Sequence, residues 1–321
     1  MLKNKLKNAR FHSKKELIIS SIVRQLMNNK TTLNKGQIIL FTAFALLAFA
    51  ANSVLNRLAL GANTIDASSY IAIRLVSGAI TLTLINGFNK RTFNSLETAF
   101  VKPNLTRFLP AFYLFLYGIT FSFAYRSLNS GTGAFILFGT VQTTMLTTAL
   151  MKGERPHLAE WMGLIVAISG LIYLVFPGLS APDPFGAFLM AIAGISWAFY
   201  TLKGRGVSDP IEATTLNFIR SVPMVLIVFL FTFSHAHFST EGVLYALISG
   251  SLTSGVGYAI WYAALRGLTT TQAALLQLFV PIIAAFGGVI FLSESLTTRL
   301  ISAGLLIIGG VVLALFGKSK T

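Results

Sequence analysis

The apolar residues of this chain come in long blocks that are separated by short polar connections. About ten such blocks can be distinguished. Each has about 20 residues, the length that an α-helix needs to cross about 30 Å of hydrocarbon. The pattern predicts an all-α membrane protein with ten transmembrane helices. The predicted spans are residues 37–60, 67–88, 108–127, 131–151, 158–176, 184–203, 211–233, 242–265, 271–292 and 297–316.

Composition supports this interpretation and narrows the function. Of the 321 residues, 54% are hydrophobic and 11% are charged, whereas a soluble domain has roughly a quarter charged residues. The short connections leave no room for a catalytic domain outside the membrane. The chain has no cysteine, and its four histidines lie outside the apolar blocks. We therefore expect no metal site, no cofactor and no enzymatic activity.

The formal net charge is +15, which in a soluble protein would suggest a nucleic-acid partner. With ten spans, however, 20 of the 25 Lys and Arg residues fall on the side that carries both termini. The positive-inside rule then predicts cytoplasmic termini. We expect the chain in the cell (inner) membrane, and an organelle membrane stays open as the alternative. The basic balance thus indicates topology, with the lipid bilayer as partner and no nucleic acid.

The first 36 residues form a basic, cytoplasmic N-terminal tail, and residues 317–321 form the C-terminal tail. Ile18, Ile22 and Leu26 recur every four residues, as in an amphipathic helix that lies on an anionic membrane surface. A second interpretation, in which translation starts at Met27, stays open.

The two halves of the chain resemble each other. The similarity runs through several predicted spans in register, with one offset of 146 and a later offset of 140. The loss of six residues falls where the connection 89–107 corresponds to the shorter connection 234–241. The first offset pairs residues 66–69 with 212–215 and Arg74 with Arg220; the second pairs Arg126 with Arg266 and Glu154 with Glu294.

Each half, residues 37–176 and 184–316, contains five predicted helices. Because five is odd, the second half must enter the membrane upside down relative to the first. The expected architecture is two inverted five-helix repeats, which many secondary transporters share. Some channels are also duplicated, so the repeat alone leaves that alternative open.

Several short motifs carry a family resemblance. Each half ends with a turn that contains glutamate, in residues 152–154 and 292–294, before a glycine-bearing last helix. The stretch 196–201 reads SWAFYT, and residues 275–277 precede Pro281. Together these motifs resemble the EamA-type transporters of the drug/metabolite transporter superfamily. The resemblance implies a central cavity lined by helices 1–4 and 6–9, peripheral helices 5 and 10, and small-molecule substrates that range from amino acids to toxic compounds.

Arg74 and Arg220 are the repeat-related arginines, and both are predicted near the middle of a span. An arginine there costs roughly 2.5–3.5 kcal/mol on insertion scales, so it should face the interior or a cavity. Its planar guanidinium suits a substrate carboxylate or phosphate. The alternative is a side chain that reaches the nearer interface or binds a carbonyl at a helix break.

Other polar and aromatic residues inside the spans complete the predicted substrate site. Small polar residues also serve close helix packing, and aromatic residues near span ends also serve as interface anchors. Tyr117, Trp197 and Tyr258 lie deeper than that. The further candidates are Asn52, Asn56, Tyr200, Asn217 and Gln277.

All ten acidic residues lie at or beyond the ends of the spans. A proton-coupled exporter of cationic drugs would be expected to keep a carboxylate within the membrane, so a neutral, zwitterionic or anionic substrate is favoured. Glu154 and Glu294 are expected to stabilise the N-termini of helices 5 and 10.

The sequence therefore predicts a secondary-active transporter, an exporter or exchanger of small metabolites such as amino acids, that works by alternating access. The alternatives are a passive channel for small polar solutes and a drug exporter. A homodimer stays open.

Overall fold

The computed structural model of the protein describes residues 33–86, 105–151, 158–176, 181–205, 207–268 and 270–316. The predicted basic tail lies outside these residues up to position 32, and so does Glu154. Among the described residues the regular secondary structure is helical, and an isolated β-bridge joins Ile65 and Phe238.

The helices follow the predicted spans to within a few residues. The eighth is continuous from Thr240 to Leu265 but changes its winding, and the ninth consists of two segments. The bounds are α1 Lys35–Gly61, α2 Ala67–Asn86, α3 Leu105–Ala124, α4 Ser130–Met151, α5 Leu158–Val175, α6 Pro184–Gly204, α7 Pro210–Thr232, α8 Thr240–Leu265, α9 Thr270–Gln277 with Phe279–Leu292, and α10 Thr298–Phe316.

Two helices depart from the continuous α-helices that the sequence predicts. In α8 the residues Ser249–Val256 form a π-helical segment with α-helix on both sides. In α9 the break falls at Leu278. Pro281 has no N–H to bond the carbonyl of Gln277 four residues earlier, which accounts for a break at this position.

Polar residues fix where several helices begin. Asn34 and Gln37 form a reciprocal capping box at the start of α1. Asp183 and Asp209 each accept a backbone N–H at the starts of α6 and α7, and a proline follows each of them.

Five of the described helices are long and apolar enough to cross a membrane by length and composition: α1, α2, α6, α7 with the turn that follows it, and α8. Large apolar side chains are exposed on their outer faces, among them Leu47, Ile80 and Phe231. Surface of this kind is stable when it faces hydrocarbon. The protein is a multi-pass membrane protein, and the full count of ten spans stays a prediction.

Helix contacts recur with a spacing of five helices. Three contacts between two helices each have a counterpart in which both helices are replaced by those five positions away in the chain. The contact of α1 with α8 corresponds to that of α6 with α3, and the contact of α1 with α9 corresponds to that of α6 with α4. The contact of α2 with α8 corresponds in the same way to that of α7 with α3. Three further contacts join helices that are five apart, namely α2 to α7, α4 to α9 and α5 to α10. Two related halves of five helices each would produce this pattern.

One end of the bundle is held by a charged cluster around Glu294, and we call it the Glu294 end. The carboxylate of Glu294 accepts the backbone N–H of Ser130 at the start of α4, at 2.9 and 3.0 Å from its two oxygens. It also pairs with Arg57 Nε at 3.5 Å, and Arg57 donates to the carbonyls of Tyr125 and Arg126 at the end of α3.

This arrangement corrects one prediction. Glu294 was expected to stabilise the N-terminus of its own following helix, α10, but it binds the N-terminus of α4. The reason is the turn after α9, where Ser293 adopts a left-handed φ of 54° and the N–H of Glu294 returns to the carbonyl of Gly288. The turn directs the carboxylate across the bundle.

Asp66 joins two loops at the same end. Its carboxylate accepts hydrogen bonds from Ser68, from the N–H of Ser69 and from the N–H of His237 in the loop between α7 and α8. Partial burial opposes ionisation, but the hydrogen bonds from Ser69, Ser68 and His237 outweigh it and hold the pKa of Asp66 below its ordinary value of 3.8.

We predict that Glu294→Gln lowers the thermal unfolding midpoint of the purified protein by several degrees. The change removes the ion pair with Arg57 and weakens a charge-assisted hydrogen bond worth about 1.5–3 kcal/mol. Glu241→Gln makes the same change at the exposed start of α8 and should shift the midpoint by less than one third as much. Equal shifts in the two variants would contradict the role of Glu294.

A second prediction concerns pH. Because the pKa of Asp66 is lowered on folding, its stabilising effect is present above pH 4 and is lost as the pH falls through the folded pKa. The midpoint difference between the wild-type protein and Asp66→Asn should therefore be constant from pH 7 to 5 and shrink below about pH 4. A difference that grows on acidification would contradict this assignment.

Candidate functional site

A buried arginine organises the centre of the bundle. Arg74 of α2 is 1% exposed. Its Nε donates to the hydroxyl of Ser254 at 2.9 Å, and its Nη2 donates to Tyr258 at 2.7 Å and to Tyr117 at 3.4 Å. The guanidinium carbon lies 5.5 Å and 5.4 Å from the ring centres of Tyr117 and Phe121. Every one of these partners is uncharged.

The π-helical segment of α8 supplies a second set of hydroxyls. Oδ1 of Asn52 accepts hydrogen bonds from Ser249 at 2.7 Å, from Thr253 and from Ser254 at 3.3 Å. The wider turn of a π-helix allows residues four and five apart to face one neighbour together. Ser254 therefore links Asn52 of α1 to Arg74 of α2.

Glycines allow α2 and α8 to approach closely enough for these bonds. A Cβ at Gly250 would collide with the backbone oxygen of Arg74 and with the hydroxyl of Ser77. A Cβ at Gly78 would collide with the Phe218 ring of α7 and with the carbonyl of Gly250. Small residues serve this purpose at helix interfaces within membranes.

Aromatic rings form one wall beside Arg74. The Trp197 ring lies 4.9 Å from Tyr117, 4.7 Å from Tyr258 and 5.2 Å from Phe49, measured between ring centres. The indole Nε1 donates to Oε1 of Gln277 at 3.0 Å, immediately before the break in α9. Rings at these distances attract each other and together form an apolar surface.

Two nitrogen donors in this cluster are buried without a hydrogen-bond partner, Nη1 of Arg74 and Nδ2 of Asn52, as is the hydroxyl of Tyr200. The charged side chains among the buried described residues are Arg74 and Arg220, and no Asp or Glu is among them. An unpaired donor on a buried cation is costly, because its solvation by water is lost and nothing replaces it. The site is therefore short of acceptors and of negative charge.

The structure brings seven of the ten predicted site residues together. Tyr200 packs on Trp197 with ring centres 5.4 Å apart and lies beside Tyr258 at 6.3 Å. The seven residues in contact are Asn52, Arg74, Tyr117, Trp197, Tyr200, Tyr258 and Gln277.

The other three predicted residues lie around this cluster. Asn56 sits one turn along α1, where it bonds the carbonyl of Asn52 and the hydroxyl of Ser122. Asn217 and Arg220 lie on α7, and both side chains are buried. Arg220 is not without a partner in the structure. The hydrogen bonds of Arg74 run to α3 and α8 rather than to α7.

Sequence reasoning missed several contributors, among them Phe49, Ser249, Thr253 and the Phe121 ring beside Arg74. Phe49 stands among several phenylalanines in the first apolar block, and nothing in its spacing distinguishes it. Ser249 and Thr253 are four residues apart in a segment rich in glycine and hydroxyl side chains, which is a usable signal. A single helix cannot reveal that both side chains converge on Asn52.

The cluster consists of hydrogen-bonding and aromatic groups. Among the described residues, no three His, Asp or Glu side chains lie close enough together to hold a metal ion. The groups at the centre are instead hydrogen-bond donors, hydroxyls and aromatic faces.

Known proteins place the chain in a family. An uncharacterized protein of Pseudomonas aeruginosa is 42% identical over 277 residues, which cover 86% of this chain and 94% of that protein. A family model described as the EamA-like transporter family matches residues 184–316. The chain belongs to the EamA-like transporter family.

Two other relatives of this EamA-like protein have names that describe them as transporters or efflux pumps. The uncharacterized transporter YoaV of Bacillus subtilis is 24% identical over 81% of this chain and 91% of its own. An Escherichia coli protein named "Probable amino-acid metabolite efflux pump" is 24% identical over 63% of this chain and 75% of its own. These names indicate transporters rather than enzymes.

The fold of this EamA-like chain also occurs in a solved crystal structure. The two superpose with a TM-score of 0.62 at 16% sequence identity, over 90% of this chain and 100% of the other. At this identity the likeness concerns the fold alone.

The missing negative charge near Arg74 in this EamA-like protein leads to a prediction about stability. Arg74→Met should raise the thermal unfolding midpoint, because it removes a buried charge whose loss of hydration no counter-ion offsets. Arg57→Met should lower the midpoint, because it removes the partner of Glu294. A large fall in the midpoint of Arg74→Met would show that Arg74 is needed for folding.

Proposed function

We propose that this protein is a secondary-active transporter, an exporter or exchanger of small metabolites, with amino acids as one substrate class. It works by alternating access from a single central site at the Arg74 cluster. The chain spans the cell (inner) membrane ten times as two inverted five-helix repeats, and both termini are cytoplasmic.

The composition of the cluster carries this proposal. Arg74 and Asn52 come from the first half of the chain, whereas Ser254 and Tyr258 come from the second. Trp197 and Gln277, which form the adjoining aromatic wall, also come from the second half. A site shared between two halves changes its access when the halves move relative to each other, as alternating access requires.

The arrangement of helices supports the inverted repeat. Contacts recur between helices that are five apart in the chain. The end of one helix and the start of the next lie on the same side, as in a bundle whose helices alternate in direction. The Glu294 end gathers the ends of α1, α3 and α9 and the starts of α2, α4 and α10. Helices that alternate in direction bring these termini to the same side.

Charge distribution supports the orientation. The Glu294 end carries Arg57, Arg126 and Arg299 but few other basic residues, whereas the remaining connections hold most of the Lys and Arg. By the positive-inside rule, the Glu294 end faces away from the cytoplasm.

The charge of the site distinguishes the candidate substrates. An exporter of cationic drugs would need a buried carboxylate to stabilise its cargo, and the described part of the chain buries two arginines and no acidic side chain. This observation favours metabolites that carry an anionic group.

Counterflow in proteoliposomes tests the proposal. Vesicles are preloaded in turn with amino acids, nucleosides, organic acids or organic cations, and the uptake of the labelled compound is followed. We expect saturable accumulation of at least one class, because a carrier exchanges its substrate across the membrane. Unsaturable leak with no counterflow would replace the carrier by a passive channel, and accumulation of cations alone would favour a drug exporter.

Matched variants then test the site itself. Arg74→Ala and Arg220→Ala should each reduce counterflow at least tenfold while the protein still inserts. Arg126→Ala removes an exposed arginine at the Glu294 end and should keep most of the activity. Wild-type substrate affinity in both Arg74→Ala and Arg220→Ala would contradict their role in binding.

A further inference from the structure

The guanidinium of Arg74 is buried with partners that cannot neutralise it. Its Nε and Nη2 donate to three hydroxyl groups, of Ser254, Tyr258 and Tyr117. Hydroxyl oxygens accept hydrogen bonds but carry no formal charge. Since no Asp or Glu is buried among the described residues, the positive charge of Arg74 stays unbalanced where the dielectric constant is low.

The open donors of the Arg74 cluster are of the kind that a carboxylate accepts. Nη1 of Arg74 and Nδ2 of Asn52 lack partners and are buried, and the two residues are joined through the hydroxyl of Ser254. Oδ1 of Asn52 already accepts three hydroxyls, so what its side chain still offers is its NH₂ group. A carboxylate has two oxygens and accepts from such donors.

The aromatic wall beside Arg74 favours an apolar body for the part of the ligand beyond its carboxylate. The ring centres of Trp197, Tyr117 and Tyr258 are 4.7 to 6.4 Å apart. Phe49 packs edge-on against Trp197 and Tyr258. These rings offer apolar faces for a planar or compact apolar body.

We propose that the Arg74 site binds organic monoanions, with one carboxylate on Arg74 and Asn52 and an apolar body against Trp197, in preference to zwitterions or cations of the same shape. A monoanion neutralises the site. A zwitterion leaves the net charge in place and brings an ammonium group near a guanidinium, and a cation adds to the charge. The inference rests on the proposed function and narrows its substrate class, because it ranks organic monoanions above amino acids at the same site.

Four compounds of nearly the same shape separate these possibilities: 3-phenylpropanoate, phenylalanine, 2-phenylethylamine and 3-phenylpropanamide. They are titrated calorimetrically into the full-length protein in lipid nanodiscs at neutral pH. We expect 3-phenylpropanoate to bind at least tenfold more tightly than phenylalanine or the neutral amide, with the amine weakest. Hexanoate and cyclohexanecarboxylate extend the set to monoanions with other apolar bodies.

Variants assign the preference to Arg74. Arg74→Gln should abolish the advantage of 3-phenylpropanoate over the amide, and Arg74→Lys, which retains the charge without the planar donors, should restore part of it. Arg126→Gln removes an exposed arginine and should leave the preference unchanged. An equal loss in Arg126→Gln would indicate a general effect of net charge and would overturn the assignment to Arg74.

The inference and the proposed function can fail separately. Tighter binding of phenylalanine or of the amine than of the anion, or no binding by any of the three monoanions, overturns the inference, while saturable counterflow of another class would keep the transporter. Tight binding of monoanions without counterflow of any compound would keep the ligand class and contradict the carrier.

Discussion

The arrangement at the centre of this protein depends on one buried guanidinium that has hydrogen-bond acceptors but no counter-ion. Three hydroxyls hold two of the nitrogens of Arg74, and the third nitrogen has no partner. Structural arginines in cores are usually paired. An arginine that is fixed by neutral groups is held in position while its charge stays available, which is the condition for binding an anion.

The surrounding helices are shaped around that arginine. The π-helical segment of α8 directs its hydroxyls to Asn52 and Arg74, and Gly250 allows the α8 backbone to lie against α2. The break in α9 falls beside Gln277, which holds the indole of Trp197. Irregular backbone inside a membrane protein is tolerated where neighbouring groups satisfy it, and such segments often mark the site.

The Glu294 end of the molecule differs in its charges from the centre. At the Glu294 end, ion pairs and hydrogen bonds join loops of both halves, through Arg57 with Glu294 and through Asp66 with the loop around His237. Arg57 and Glu294 are partly exposed and neutralise each other, whereas Arg74 is buried and has no counter-ion among the buried described residues. The charges that join the loops of the bundle thus lie apart from the charge for which we propose a role in binding.

Sequence reasoning predicted much of this, and its failures have physical reasons. The length of the apolar blocks located the helices, because the thickness of the membrane sets that length. The midspan position of Arg74 predicted that its side chain faces the interior, because a charge is costly where the dielectric constant is low. The winding of α8 and the partner of Glu294 could not be predicted, since each depends on how a neighbouring helix is placed. Phe49 was missed because its importance comes from contacts with Trp197 and Tyr258 rather than from its own spacing.

A crystal structure with 3-(4-bromophenyl)propanoate tests the central claim most directly, because the anomalous signal of bromine locates the ligand independently of the protein. The account predicts the carboxylate about 3 Å from Nη1 of Arg74 and the bromine among the rings of Trp197, Tyr117 and Tyr258. Bromine in the apolar groove beside Leu276 and Phe279, with no ligand oxygen near Arg74, would contradict it.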